Sequence, residues 1–298
     1  MIHSLLFRHA AVIGTAVVLS LPLSLSRAHA AQTPSEDVLR DNAAGNYLAA
    51  RHAGVERDSG AAASYYLNVL KTDPKNPELL SRAFLSILTH GDIDAAGKLA
   101  EKLLVVDKND RIARLVVGVR ALKQHQYNLA RQDFSQSVHG PVTDLTAALL
   151  TAWARYGAGD PHAAVDEMDR LAGPDWYGVF RDLHAGMIFD LANMKKDAGK
   201  RYESAYKSDP TALRTVQAYG RYLSRNGGKV AALKIYDDFN KQLTNHPLVT
   251  AEIKQISDGD KLPPLVDSPQ TGAAEALYGI GASIGRRGGE DLALIYLQ

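Results

Sequence analysis

Residues 183–210 read LHAGMIFDLANMKKDAGKRYESAYKSDP, and the spacing inside this stretch decides the fold. Gly186 precedes Ala198 by twelve positions, Tyr202 follows four later, and Asp209-Pro210 closes the stretch. Working outward, the alanine recurs at Ala62, Ala96, Ala130, Ala164, Ala198 and Ala232, each 34 residues from the last. Four residues after each alanine come Tyr66, Ala100, Phe134, Met168, Tyr202 and Tyr236; twelve before come Ala50, Phe84, Gly118, Ala152, Gly186 and Gly220. Two antiparallel helices that cross closely need an almost absent side chain at the crossing and a bulky neighbour to fill the gap beside it.

Each period divides into two helices. The first is apolar at helical spacing, as in Leu80, Ala83, Phe84 and Ile87, or Val116, Val117 and Ala121. A turn follows at Gly91-Asp92, His125-Gln126, Gly159-Asp160 and Gly227-Gly228. A second break at Asp73-Pro74, Gly173-Pro174 and Asp209-Pro210 closes the unit, with Lys108 at the corresponding place in repeat two. This unit resembles the tetratricopeptide repeat, a helix-turn-helix of 34 residues. The family's aromatic residue near the start of the first helix is missing from most units, so the common phase of six units carries the resemblance. It implies an all-α, right-handed superhelical solenoid of antiparallel helix pairs, the first helices lining the concave side with positions two, five, nine and twelve of each unit.

The 298 residues are 46% hydrophobic, enough for a large core, which a repeat spreads along a seam between stacked helices. A net charge of +1, with acids and bases interspersed, gives no field for nucleic acid or anionic membrane. Cysteine is absent from the sequence, which excludes disulfides, thiolate metal sites, a cysteine nucleophile and a lipidated cysteine.

Residues 1–30 differ in kind: Arg8 and His9 precede an apolar run from Ala10 to Leu25, and Ala28-His29-Ala30 follow. Small residues before a polar start read as the cleavage site of a secretory signal peptide, and the run is shorter than the about 20 residues of a membrane span. The competing reading is an uncleaved anchor helix. Cleavage predicts a periplasmic protein. Residues 31–42 read as a tether, 43–246 as six repeats, 247–272 as a helix end and a Pro/Gly/Asp-rich linker containing Pro263-Pro264, and 273–298 as an incomplete seventh repeat. In that last unit Gly281, Gly288, Ala293 and Leu297 resume the register, and the sequence stops inside the second helix. A half-built pair cannot bury its own face, so a fragment of a longer protein is expected, with Ile280, Ile284, Leu292 and Ile295 sticky or frayed.

No motif carries catalysis. The 10 histidines have no partner at metal-ligand spacing; His125 and His162 fall near turns and His184 on a first helix. Gly279, Gly281 and Gly285 look like a dinucleotide loop but lie inside a helical repeat, where they serve packing. No catalytic residue, cofactor or metal is therefore assigned.

The groove positions that the resemblance implies are apolar in the middle: Leu115, Val119 and Leu122 in repeat three, Leu149, Trp153 and Tyr156 in repeat four, Phe180, Leu183 and Met187 in repeat five. Repeat six adds Arg214, Gln217, Arg221 and Arg225, and repeat one Tyr47 and Arg51. An apolar trough with a cationic end suits an amphipathic helix or extended apolar segment of a protein, with the aromatics as anchors. The expected function is a non-catalytic periplasmic interaction scaffold in envelope assembly, the alternative being the N-terminal recognition arm of a larger enzyme or export machine. Two further readings stay open: a trough filled by the chain itself, and self-association through the seventh repeat.

Overall fold

The computed structural model describes residues 42–137 and 140–298. The expected signal peptide and the expected tether up to Asp41 lie outside the described residues. Among the described residues there are fifteen helices and no strand. Six antiparallel pairs form the array: α1 (Ala43–Val55) with α2 (Ser59–Leu70), α3 (Pro77–His90) with α4 (Ile93–Val106), α5 (Arg111–Lys123) with α6 (Tyr127–Ser135), α7 (Pro141–Gly157) with α8 (Pro161–Asp169), α9 (Tyr177–Leu191) with α10 (Lys195–Ser208), and α11 (Leu213–Arg225) with α12 (Lys229–Asn240). Then come α13 (Pro247–Asp258), α14 (Pro269–Gly285) and α15 (Glu290–Leu297). The described residues form an all-α solenoid of stacked antiparallel helix pairs.

One turn is used in every pair. Arg57, Gly91, His125, Gly159, Asn193 and Gly227, spaced 34 apart, all have positive φ, between 59 and 94°. The amide after each bonds five residues back, as Gln126 N does to Ala121 O (2.8 Å) and Met194 N to Phe189 O (2.8 Å). That bond closes the first helix as a Schellman motif and aims the chain backward. Asp58, Asp92 and Asp160 then cap the second helix by accepting a backbone N–H. The left-handed position tolerates arginine, histidine and asparagine here as well as glycine, which is why no single residue type marks it.

The small and bulky partners meet as the register requires. A Cβ added to Gly118 would lie 2.6 Å from Phe134 Cε1, and one added to Gly220 would lie 2.4 Å from Tyr236 Cζ. Repeat two inverts the order: Phe84 is on the first helix and Ala100 on the second, both fully buried in one cluster. What stays constant is that each pair has one small and one bulky member.

The C-terminal region departs from the expected pattern. Residues 247–258 are a full helix, α13, started by Pro247 at its first turn and ended by Gly259 in the left-handed region. The next helix begins at Pro269, where Ser268 and Thr271 form a capping box, and not at Ala273. The α14–α15 hairpin does not extend the stack. It turns back and lies across first helices of the array, α14 on α5, α7 and α9, and α15 on α3. Ile280 is 3% exposed and Ile284 and Ile295 are partly buried, contrary to the expected frayed face; Leu292 stays 38% exposed. Docking supplies the partner surface that an isolated half-pair lacks.

The Gly118–Phe134 crossing can be tested directly. Gly118→Ala should lower stability by about 1–2 kcal/mol, an overpacking of about 1–3 less a helix-propensity gain of about 0.5–1. Adding Phe134→Leu should recover part of that loss in denaturant melts, although Phe134→Leu alone destabilises.

Candidate functional site

The trough expected from the sequence is assembled, and its middle is occupied. Leu122, Leu149, Trp153, Leu183 and Met187 are buried in one cluster with Val266, Ala273, Ala276, Ile280 and Tyr296 of the C-terminal segment. Leu115, Val119, Tyr156 and Phe180 pack partly buried around it. Trp153 has no exposed surface, and a Cβ at Gly272 would fall 2.3 Å from its ring. Gly279 passes Phe180 less closely, with an added Cβ 3.2 Å from Cε1. The backbone of α14 therefore lies directly on the aromatic floor, which only small residues permit.

Polar groups fix the position of the hairpin. Gln270 Nε2 donates to Leu122 O (3.0 Å), and the Thr146 and Tyr296 hydroxyls are bonded at 3.2 Å. Arg214 Nε donates to Glu275 Oε1 (2.7 Å), and its Nη2 to the other carboxylate oxygen, a bidentate pair in which Glu275 is buried.

The cationic end of the trough is likewise satisfied within the chain. Arg221 donates twice to Glu252 Oε1 (3.0 and 2.7 Å), and Gln217 Nε2 joins it at 2.8 Å. Glu252 is buried on α13 and also accepts from the Tyr236 hydroxyl, whose pKa is pushed up, chiefly by burial. Arg225 binds Leu262 O (3.0 Å) and the Asp190 carboxylate. Arg221 and Arg225 are thus spent on positioning α13 and the linker behind it. In repeat one, Tyr47 stands edge-on to Tyr66 and beneath Arg82, while Arg51 is exposed. Glu252, Gln270 and Glu275 do not stand out in the sequence; Glu275, a lone acid between Gly272 and Gly281, is the available signal.

His184 sits beneath the tryptophan. Trp153 Nε1 donates to its Nδ1 at 3.1 Å, so that nitrogen carries no proton. Burial lowers the imidazole pKa from 6.5 to about 4, and the Glu275 charge opposes that shift.

One stretch of the trough remains open. A cleft of about 700 Å³ lies between α15 and the first three repeats, lined by Ala62, Leu85 and Ile112 on one side and Leu292, Ile295 and Leu297 on the other. Arg57 and Glu290 pair across its rim at 2.7 Å. Among the described residues no group of three or more His, Asp or Glu is placed to hold a metal, and no helix is long and apolar enough to cross a membrane.

Solved structures similar to the chain include the MamA protein, with 17% identity, a TM-score of 0.35 and coverage of 74% of this chain and 98% of that one. YrrB, described as a TPR protein with an unusual peptide-binding site, is 13% identical with a TM-score of 0.44, over 65% of this chain and 100% of its own. The P58(IPK) TPR domain is 17% identical with a TM-score of 0.34, over 84% of this chain and 70% of its own. No family model matches the chain, and no curated protein is significantly similar to it.

Two outcomes follow. Because the unfolded chain takes up the His184 proton near pH 6.5 and the folded chain only near pH 4, stability should fall as pH drops through that window, by up to about 3 kcal/mol from this group. Denaturant melts of His184→Gln, which keeps an acceptor for Trp153, should show a shallower fall than those of the wild type. Gly272→Val should lift α14 from the indole, red-shifting tryptophan emission while the repeats keep their far-ultraviolet circular dichroism.

Proposed function

We propose that the chain is an exported, non-catalytic protein-interaction scaffold that takes an apolar segment of a partner at the N-terminal end of its trough. The observation that carries this reading is the apolar cleft between α15 and repeats one to three. Leu85 and Ile112 are only partly buried there, while Leu292 and Leu297 are 38% and 49% exposed. Exposed aliphatic side chains gathered along two facing walls favour a docked helix or extended segment over water. The middle of the trough is a poor candidate for the same role, since the indole of Trp153 is already covered by α14.

Export rests on residues 1–30, whose short apolar run and Ala28-His29-Ala30 fit a cleaved signal, and the compartment proposed is the periplasm. The repeat architecture supports a binding role, because stacked helix pairs present long surfaces rather than converging acid–base groups. A role in envelope assembly is the functional setting in which such an exported scaffold fits.

A photo-reactive residue in place of Leu292, introduced into the protein in its native host, tests the site. It should capture a discrete set of proteins, lost when Leu85 is also changed to Asp and retained when the distant Leu129 is changed to Asp. Capture that is indifferent to Leu85→Asp would place the partner elsewhere. The mature protein should begin at Ala31; Met1 at the N-terminus of the exported protein would contradict cleavage and favour an uncleaved anchor helix.

A further inference from the structure

We propose a second binding site, on the opposite side of the helix pairs from the C-terminal hairpin, where Arg131 and Arg170 take an acidic side chain of a partner protein segment in the cleft between repeats three and four. The cleft encloses about 1010 Å³, with α7 as its floor and α6 and α8 as its walls.

The repeat register explains why it is open. A first-helix residue meets the second-helix residue 19 positions later, and each repeat fills this place in its own way. In repeats two and six both members are apolar and buried, Leu80 with Leu99 and Val216 with Ile235. Repeat three has an ion pair, Arg114 Nη1 to Asp133 Oδ1 at 2.8 Å, and repeat five the reversed pair, Asp182 Oδ1 to Arg201 Nη1 at 2.7 Å. Repeat four has Ala148 and Glu167. With only a methyl group opposite, Glu167 turns to Arg155 instead, and the space above Ala148 and Thr151 is left empty.

Charge in the cleft is uneven. Glu167 is neutralised by Arg155, and Asp144 accepts the Gly140 N–H at the start of its own helix. Arg170 has no ion pair among the described residues. Arg131 stands where other repeats carry Gly97, Val165, Gly199 or Leu233. Its Nε is buried with no hydrogen-bond partner, and its side chain makes one hydrogen bond, from Nη1 to Asn128 Oδ1 at 3.5 Å. A dehydrated guanidinium donor without an acceptor is unfavourable, and a carboxylate is the group whose geometry satisfies it. The two guanidiniums without an ion pair, one on each wall, complement an acidic side chain that enters over Ala148.

The probe is an acetylated, amidated peptide of alternating glutamate and alanine, labelled for fluorescence anisotropy and compared with its glutamine counterpart. The wild type should bind the glutamate peptide more tightly than the glutamine one, with affinity falling as salt rises. Arg131→Gln should weaken binding about tenfold, whereas Arg120→Gln, which removes a guanidinium paired with Glu101, should not. Ala148→Leu, which copies the apolar filling of repeat two, should fold and abolish binding by closing the cleft. The assignment is overturned by no binding at about 1 mM peptide, by equal binding of the glutamine peptide, by unchanged binding in Arg131→Gln or Ala148→Leu, or by inorganic phosphate binding as tightly as the peptide.

Discussion

The face formed by α5, α7 and α9 presents Leu115, Val119, Leu149, Trp153, Phe180 and Met187 side by side, and a continuous apolar surface of that kind is not stable against water. The rest of the C-terminal half follows from this constraint. A helix can lie on an indole only if its contact face is nearly bare, and α14 supplies Gly272, Ala273, Ala276 and Gly279. Burying that helix brings Glu275 out of water, which is tolerable because Arg214 meets it with two donors. Covering the tryptophan also seals its N–H, and His184 is the acceptor that satisfies it. Small residues, buried acid and neutral histidine are three consequences of one dehydrated surface.

The array is legible in the sequence because its determinants are local and periodic. The Gly186–Tyr202 and Gly220–Tyr236 crossings are set by backbone approach within a single helix pair, and the same geometry recurs every 34 residues. Four of the six turns are legible from the same register, including the one where His125 replaces glycine; those at Arg57 and Asn193 carry no residue that marks them, and only the bond to the residue five back shows that all six share one motif. What faces the trough is also readable. What covers it is not: the contact between Trp153 and Gly272 spans more than a hundred residues and leaves no spacing rule. The arginines of repeat six look like a free cationic patch because their partners, Glu252, Glu275 and Asp190, come from three separate segments. Helix α13 is hidden because Pro247 reads as readily as a break as it does as the first residue of a helix.

The repeats also differ in how each seals the space between its helices. Apolar pairs, an arginine–aspartate pair and its reverse all fill the same place, so the packing requirement is volume with complementary charge, and chemistry varies within it. Such variation is where an otherwise uniform solenoid acquires distinct surfaces, at Ala148 on one side and at the open end beside α15 on the other.

Native-state hydrogen exchange of the full chain reads the central constraint most directly. Amides of α14 from Gly272 to Ile280 should open together with those of α7 and α9, because the helix and the trough form one buried cluster. Rapid exchange along α14 while α7 and α9 stay protected would mean that the hairpin is a loose appendage and the trough an open groove.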